Sequence, residues 1–417
     1  MHDRRRSIGR AAVLTAAALA LTAACGGSSK PSVNASASAG QTAKETVKVG
    51  ILTDMTGPAS SVNKTSLDGM KAGIRYASRE GYDIKYVLGD TATNPTTALS
   101  VAQKFVTQDH VDAVLANSSL TFLASNYLTA HNVPVIGIAE DGPEWITAKN
   151  MFSVVGALHT DKVAATQGEF FKKEGVTSLG IVGYVGFPAS TNVAKADAIS
   201  AEAAGVKVGY LNATLPLGTT DVGPVVLAMK NAGIDGFVGT VTSDTAFAII
   251  TGLRQQGVNL KAALLATGYG GDLLAAGPGA TAAAQNVFFV SSAEPVEMQT
   301  AATKQFVSDL AGTGMTGAPT FGMYNGYLTV GMLVEGLRGA GAKPTSASLI
   351  ASLAKIHDFT GMGLYGTHKL DPNDRENIVN GVDNCIWVTQ FRGSTFHPVD
   401  GATPICGATL AGKSVTS

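Results

Sequence analysis

Cys25 is the residue in this chain whose surroundings point most directly to chemistry. It follows a charged start holding Arg4, Arg5, Arg6 and Arg10, an apolar run from Ala11 to Ala24, and the small residues Thr22-Ala23-Ala24. That order is the pattern of a bacterial export signal (1–24) whose cysteine accepts a lipid and becomes the new N-terminus. Thr22 stands where such signals usually carry leucine, so an ordinary secretory signal with an incidental cysteine is the alternative. The apolar run is shorter than the roughly 20 residues a spanning helix needs. Arg4-Arg5-Arg6 also leaves the twin-arginine route open. Export places the two later cysteines, Cys385 and Cys406, in an oxidising compartment, where a disulfide is expected rather than two free buried thiols.

Other reactive patterns are weak. Gly361-Met362-Gly363-Leu364-Tyr365-Gly366 fits G-x-G-x-x-G, but no clear strand precedes it and Asp371-Pro372 follows where a helix should run. The seven histidines are scattered, with no H-E-x-x-H and no C-x-x-C, so no metal ligand set is offered. Asp371, Asn373 and Asp374 resemble an ion-binding turn without the glycine and closing glutamate of a calcium loop. No G-x-S-x-G elbow occurs. Catalysis is unsupported, and no cofactor or metal is expected.

The elements that would position a site read as α/β. Val47-Lys48-Val49-Gly50-Ile51-Leu52 is a short β-rich run followed by the turn Thr56-Gly57-Pro58, and Ser66 to Glu80 spaces Leu67, Met70, Ile74 and Ala77 as an amphipathic helix. The unit recurs with strands at Ile84 to Leu88, Ala113 to Ala116 and Val133 to Ile138, and helices at Thr96 to Thr107 and Leu120 to Thr129. It then restarts. A helix Asp161 to Glu174 precedes strands at Ser178 to Gly183, Val206 to Tyr210, Gly236 to Gly239 and Ala263 to Ala266, with helices between them. A strand Val287 to Val290, a helical stretch holding Thr300 to Ala311, Tyr324 to Gly339 and Thr345 to Lys355, and terminal strands around Asn384 to Phe391 complete the pattern. Nearly continuous apolar strands separated by helices predict parallel sheets covered on both faces, in two similarly built lobes. Ligands of such sheets bind beyond the carboxyl ends of the strands.

Composition agrees. A 45% hydrophobic share, 49 glycines and 6% aromatic residues suit many tight connections between aliphatic elements. The formal charge of −1 becomes more acidic once Arg4, Arg5, Arg6 and Arg10 leave with Asp3, so nucleic acid is an unexpected partner. Residues 25–45, rich in Ser, Ala and Gly, read as a flexible tether.

In order and spacing, several segments together resemble the type I periplasmic binding proteins, and most closely the leucine/isoleucine/valine-binding group that feeds ABC importers. These are Val49-Gly50-Ile51-Leu52 with Thr56-Gly57-Pro58, Asp68 to Ile74, Asp90 with Asn94-Pro95, Asn132 to Ile136, Ala232 to Asp235 and Leu253 to Gly257. The resemblance runs from Val47 to about Pro398. It implies a non-enzymatic, monomeric receptor with two lobes, 46–158 plus about 292–365 and 159–291 plus about 366–410, joined by a three-crossover hinge. It also implies closure around a small polar or amphipathic metabolite, an amino acid or related carboxylate or amide, and delivery to a membrane permease. A sensor signalling to a membrane receptor or kinase is the alternative. A lipid with more than one acyl chain on Cys25 would hold such a receptor at the outer face of the cell membrane.

Carried over residue by residue, the resemblance assigns Ser118 and Ser119 to a ligand carboxylate. It places Ala139 and Asp141 in the next ligand loop, and Phe187, Thr242 and Tyr269 in the loops of the second lobe. Amino-acid binders of the group put a carboxylate in the last of these loops, where Thr267-Gly268-Tyr269 stands here. Asp141 takes a position where threonine is common, so a cationic group would be met from the first lobe. The same residues have other readings: Ser118 and Ser119 as caps of the helix near Leu120, Asp141 as a turn residue before Gly142-Pro143, Phe187 and Tyr269 as core, and Tyr324 as packing beneath a lobe.

Overall fold

β1 (Glu45–Thr53) alternates hydrogen-bonding partners on both sides, and its Val47, Val49 and Ile51 are buried. In the computed structural model, which describes residues 45–415 except 141 and 380, it lies in the middle of a parallel sheet. The signal 1–24, Cys25, the tether up to 44 and Asp141 lie outside the described residues. β2 (Tyr82–Asp90), β3 (Ala113–Asn117), β4 (Val135–Gly137) and β5 (Met151–Ser153) complete this sheet in the order β2-β1-β3-β4-β5. Every residue of β3, β4 and β5 is buried, as expected where helices cover both faces.

After β5 the chain leaves this sheet. β6 (Lys162–Ala164), β7 (Ser178–Tyr184), β8 (Lys207–Leu215), β9 (Gly236–Thr240), β10 (Ala262–Leu265) and β11 (Phe288–Ser291) follow, and later β12 (Cys385–Arg392), β13 (Thr395–Pro398), β14 (Ile405–Cys406) and β15 (Thr409–Ser414). The second sheet runs β13-β12-β11-β10-β9-β7-β8, with β14 also on β12. Its parallel part, β8-β7-β9-β10-β11, repeats the strand order of the first sheet. β12 then closes that edge antiparallel to β11.

Two expectations need correction. The helix expected over Asp161 to Glu174 begins with β6, because Lys162–Ala164 pairs antiparallel with β15 from the far end of the chain, and the helix itself is Thr166–Lys173. Glu45, expected in the tether, starts β1.

The late helix Phe321–Ala340 does not cover the second sheet, which immediately precedes it in sequence. It packs on the helix Ser66–Arg79 of the first. Glycine makes that contact possible: a Cβ on Gly69 would lie 2.0 Å from the Met323 carbonyl oxygen, and one on Gly326 would lie 2.1 Å from that of Ser66. The backbones therefore touch. At the end of this contact Arg79 grips the buried Asp309 with two bonds of 2.5 and 2.7 Å, and Tyr327 donates to the same carboxylate at 2.8 Å.

Three segments cross between the sheets, at 154–165, 292–300 and 354–384. The third is pinned to the first sheet by Arg375, whose guanidinium donates to the carbonyls of Trp145 (3.1 Å), Ala148 (2.6 Å) and Met151 (2.8 Å). Its own carbonyl meets Nε2 of His159, on the first crossing, at 2.6 Å. The Gly361 to Gly366 motif lies in the same crossing as a tight turn, with Tyr365 buried in the core and donating to Val154 O. Cys385 and Cys406 stand directly opposite each other on β12 and β14 and form a disulfide.

Replacing Gly326 by valine should lower stability by about 1–3 kcal/mol through forced separation of the two helices. Gly279→Ala, at a helical position with open space around it, should leave stability unchanged or slightly raised. Thermal unfolding followed by circular dichroism distinguishes the two. Paired Cys385→Ser and Cys406→Ser changes remove a link spanning 21 residues and should cost about 3 kcal/mol in denaturant titrations.

Candidate functional site

In parallel sheets the loops at the carboxyl ends of the strands diverge, and the amides of the following helices point outward. Here those ends face one cavity of about 280 Å³, with Ser119 from the loop after β3, Ala139 and Glu140 from that after β4, Phe187 from that after β7, Thr242 from that after β9 and Thr267 from that after β10. Leu158, Val193, Leu217, Phe321 and Ile386 make much of the rest of the wall apolar. Both sheets and the first crossing contribute, so a molecule seated here touches both halves.

The floor on the first-sheet side is acidic. Asp54 follows β1 directly and is fully buried. Its Oδ1 accepts from Ser118 Oγ at 2.7 Å and from Thr91 Oγ1, and its Oδ2 from the Ser119 amide and Asn63 Nδ2, each at 2.9 Å. Glu140 lies above it. Its Oε2 accepts from Asn63 Nδ2 at 3.0 Å and Ser119 Oγ at 3.2 Å, while Oε1 is buried with no hydrogen-bond partner among the described residues. Burial pushes the Glu140 carboxyl up to about 7; the Asn63 and Ser119 bonds oppose the shift and the nearby Asp54 adds to it.

A second carboxyl faces the cavity from the other half. Asp197, on the helix Pro188–Ala203, is 4% exposed and has no hydrogen-bond partner among the described residues. Burial pushes it up to about 8. The hydroxyls nearby are committed: Ser190 donates to Thr240 O, Thr240 to Ser190 O at 3.0 Å, and Thr245 to Thr219 O at 3.3 Å. Tyr184 OH links Thr242 and Thr245 at 2.9 and 2.8 Å.

Of the residues singled out from sequence, Ser119, Ala139, Phe187 and Thr242 come together on the cavity wall. Two do not reach it. Ser118 lies beneath, its hydroxyl given to Asp54 and accepting from the Leu120 amide at 3.1 Å, so it braces the turn before the helix Thr121–Ala130 rather than capping the helix. Tyr269 is the clearer correction: it is buried against Phe396 and Tyr324 and donates to Glu297. The reason is a backbone turn, with Gly268 at φ +91° and Gly270 at φ +66°, the latter pressed against Pro319 O, which carries the ring away from the solute space. Tyr324 packs in the same aromatic cluster and donates to Glu294 O at 3.2 Å. The assignment of Ser118 and Ser119 to a ligand carboxylate is also altered, since the Ser118 hydroxyl and the Ser119 amide already serve Asp54.

Asp54, Glu140, Tyr184 and Asp197 were not foreseen as site residues. Glu140 sat inside a loop already singled out, and Asp54 at a strand's carboxyl end. Asp197 left one signal, an acid on the same helical stripe as the buried Ala194 and Ala201.

Comparison with known proteins places this geometry. A crystal structure of the leucine-binding protein LivK from Thermotoga maritima superposes with a TM-score of 0.69 at 17% identity, covering 86% of this chain and 99% of that one. A solute-binding protein of an ABC transporter from Rhodopseudomonas palustris in complex with p-hydroxybenzoic acid gives 0.69 at 18% identity, covering 88% and 97%. LivJ from Streptococcus pneumoniae, in complex with isoleucine, gives 0.68 at 18% identity, covering 88% and 99%. No curated protein matches the chain significantly. At these identities the superpositions establish the fold, a mixed α/β architecture of parallel-rich sheets flanked by helices. The family model described as periplasmic binding protein matches residues 46–395, nearly all of the described chain, and the protein with the cavity between its two sheets therefore belongs to that family of non-enzymatic solute-binding proteins.

Proposed function

We propose that this chain is the solute receptor of an ABC importer, held at the outer face of the cell membrane by a lipid on Cys25. Its solute is a small amphipathic metabolite. The observation that carries this reading is a cavity walled from the carboxyl ends of both sheets. A ligand that touches both halves binds their closed arrangement more tightly than the open one, and only such differential affinity shifts the equilibrium toward closure. The moving halves are 46–158 with about 292–365 and 159–291 with about 366–410, the part of the last stretch around Arg375 staying with the first half through its bonds to Trp145, Ala148 and Met151, and the three crossings between the sheets are the flexible waist. The tight packing of Phe321–Ala340 on Ser66–Arg79 supports that division. The receptor acts as a monomer and presents its closed form to a membrane permease. No helix among the described residues is long and apolar enough to cross a membrane, so on this reading attachment rests on the lipidated cysteine.

Native mass spectrometry of the mature chain purified from its own cells should reveal a bound small molecule. Filling the cavity by Ala139→Trp should abolish the added mass while the melting temperature of the ligand-free protein changes little. Small-angle scattering should record a smaller radius of gyration with ligand than without; equal radii would sink the closure mechanism. Growth with a radioactive fatty acid should label the wild type, and Cys25→Ser should remove the label.

A further inference from the structure

The cavity wall is asymmetric in hydrogen-bonding sense. Two carboxyl groups face it, Glu140 from the first sheet and Asp197 from the second, and no lysine, arginine or histidine among the described residues lines it. Most hydroxyl donors are already used, while the Gln167 amide and the Ser292 hydroxyl, also on the wall, have no hydrogen-bond partner among the described residues. The Ser118 hydroxyl and the Ser119 amide serve Asp54, the Ser119 hydroxyl goes to Glu140, and Ser190, Thr240 and Thr245 give their protons to backbone carbonyls. A hydroxyl has one proton to donate, so these hydroxyls keep only lone pairs for a solute. Two helix N-termini, at Pro188 and Ser243, open nearby and favour negative charge. Pro188 has no N–H, and Asp244 already supplies a carboxylate to the first turn of the other helix.

Glu140 Oε1 and the Asp197 carboxyl are unpaired and almost wholly buried. Buried acids without partners are costly unless something completes them. Near Asp197 the titratable neighbours are His159 and Lys162, which line the adjoining small cavity, but Lys162 donates to Glu376 O and the His159 ring meets Arg375 O and Asp161. Near Glu140 the charged neighbour is Asp54, of the same sign.

Resting on the reading of this cavity as the solute site, we infer that the solute is an amphipathic cation, an apolar body carrying an ammonium group and no carboxylate, gripped by Glu140 and Asp197 from opposite halves. An ammonium has three protons to donate and no lone pair, the complement of the two unpaired acids. The charge would ionise both acids. Since burial holds them near 7 and 8, affinity for such a cation should rise as pH climbs from 6 to 9, with protons released on binding. A carboxylate ligand would show the reverse trend.

Calorimetry of the mature chain with phenethylamine, phenylacetate and L-phenylalanine, in buffers of different ionisation enthalpy, tests this. Phenethylamine should bind at least tenfold more tightly than the other two, with proton release at pH 7. Glu140→Gln and Asp197→Asn should each weaken it at least tenfold and reduce that release. Asp197→Asn should also raise the ligand-free melting temperature at pH 9, because it removes a buried charge, so loss of binding is separable from loss of fold. Tighter binding of phenylacetate or phenylalanine, or affinity for phenethylamine indifferent to both substitutions, would overturn the cation and leave the receptor reading standing. Failure of all three ligands, in a protein that also carries no small molecule from its cells, would overturn both.

Discussion

The buried carboxylate of Asp54 organises the end of the first sheet where the cavity lies. A carboxylate with no water around it needs several donors, and the penalty for leaving one unpaired is several kcal/mol. Here the donors come from Thr91 after β2, Ser118 and Ser119 after β3, and Asn63 from the turn after β1. One acid thus ties three connections that are distant in sequence. Rigidity there has a chemical consequence: groups that would otherwise face a solute as donors are turned inward, and the surface left behind, with Glu140 above it, is acidic and rich in acceptors.

The second constraint is mechanical. Helix Phe321–Ala340 returns from the second sheet to lock against Ser66–Arg79 through glycines that let two backbones meet, and Arg375 fastens the last crossing to the edge of the first sheet. Contacts of this kind stiffen the first half. With the two sheets linked by three crossings, the closure proposed above would be taken up in those connections rather than in the sheets. A cavity drawing its wall from both sides is the natural sensor of such motion.

Proteins of the same fold hold isoleucine or p-hydroxybenzoic acid, yet at 17 and 18% identity the fold is what they share with this chain. A fold sets where a ligand sits; the side chains at that place set what it is. Here the strand ends are furnished with Asp54 and Glu140, the helix Pro188–Ala203 adds Asp197, and Tyr269 of the last loop is folded into an aromatic cluster with Phe396 and Tyr324.

Local patterning made the repeated strand–helix order legible from sequence. Aliphatic runs such as Ala113 to Ala116 and the spacing of Leu67, Met70 and Ile74 depend only on near neighbours, and every helix expected from them is present within a few residues except the one whose start became β6. The site loops came from the family resemblance laid over those strand ends, and of the residues it assigned Ser119, Ala139, Phe187 and Thr242 reach the cavity. Tertiary structure alone decided what those loops do. β6 exists because β15 pairs with it across the length of the chain, Tyr269 is withdrawn because two left-handed glycines turn its backbone, and Ser118 is spent because Asp54, sixty-four residues away, is buried beside it. Donor and acceptor capacity is a property of the packed neighbourhood, since a hydroxyl's single proton goes to whichever partner the fold brings near, and residue type cannot say which that will be.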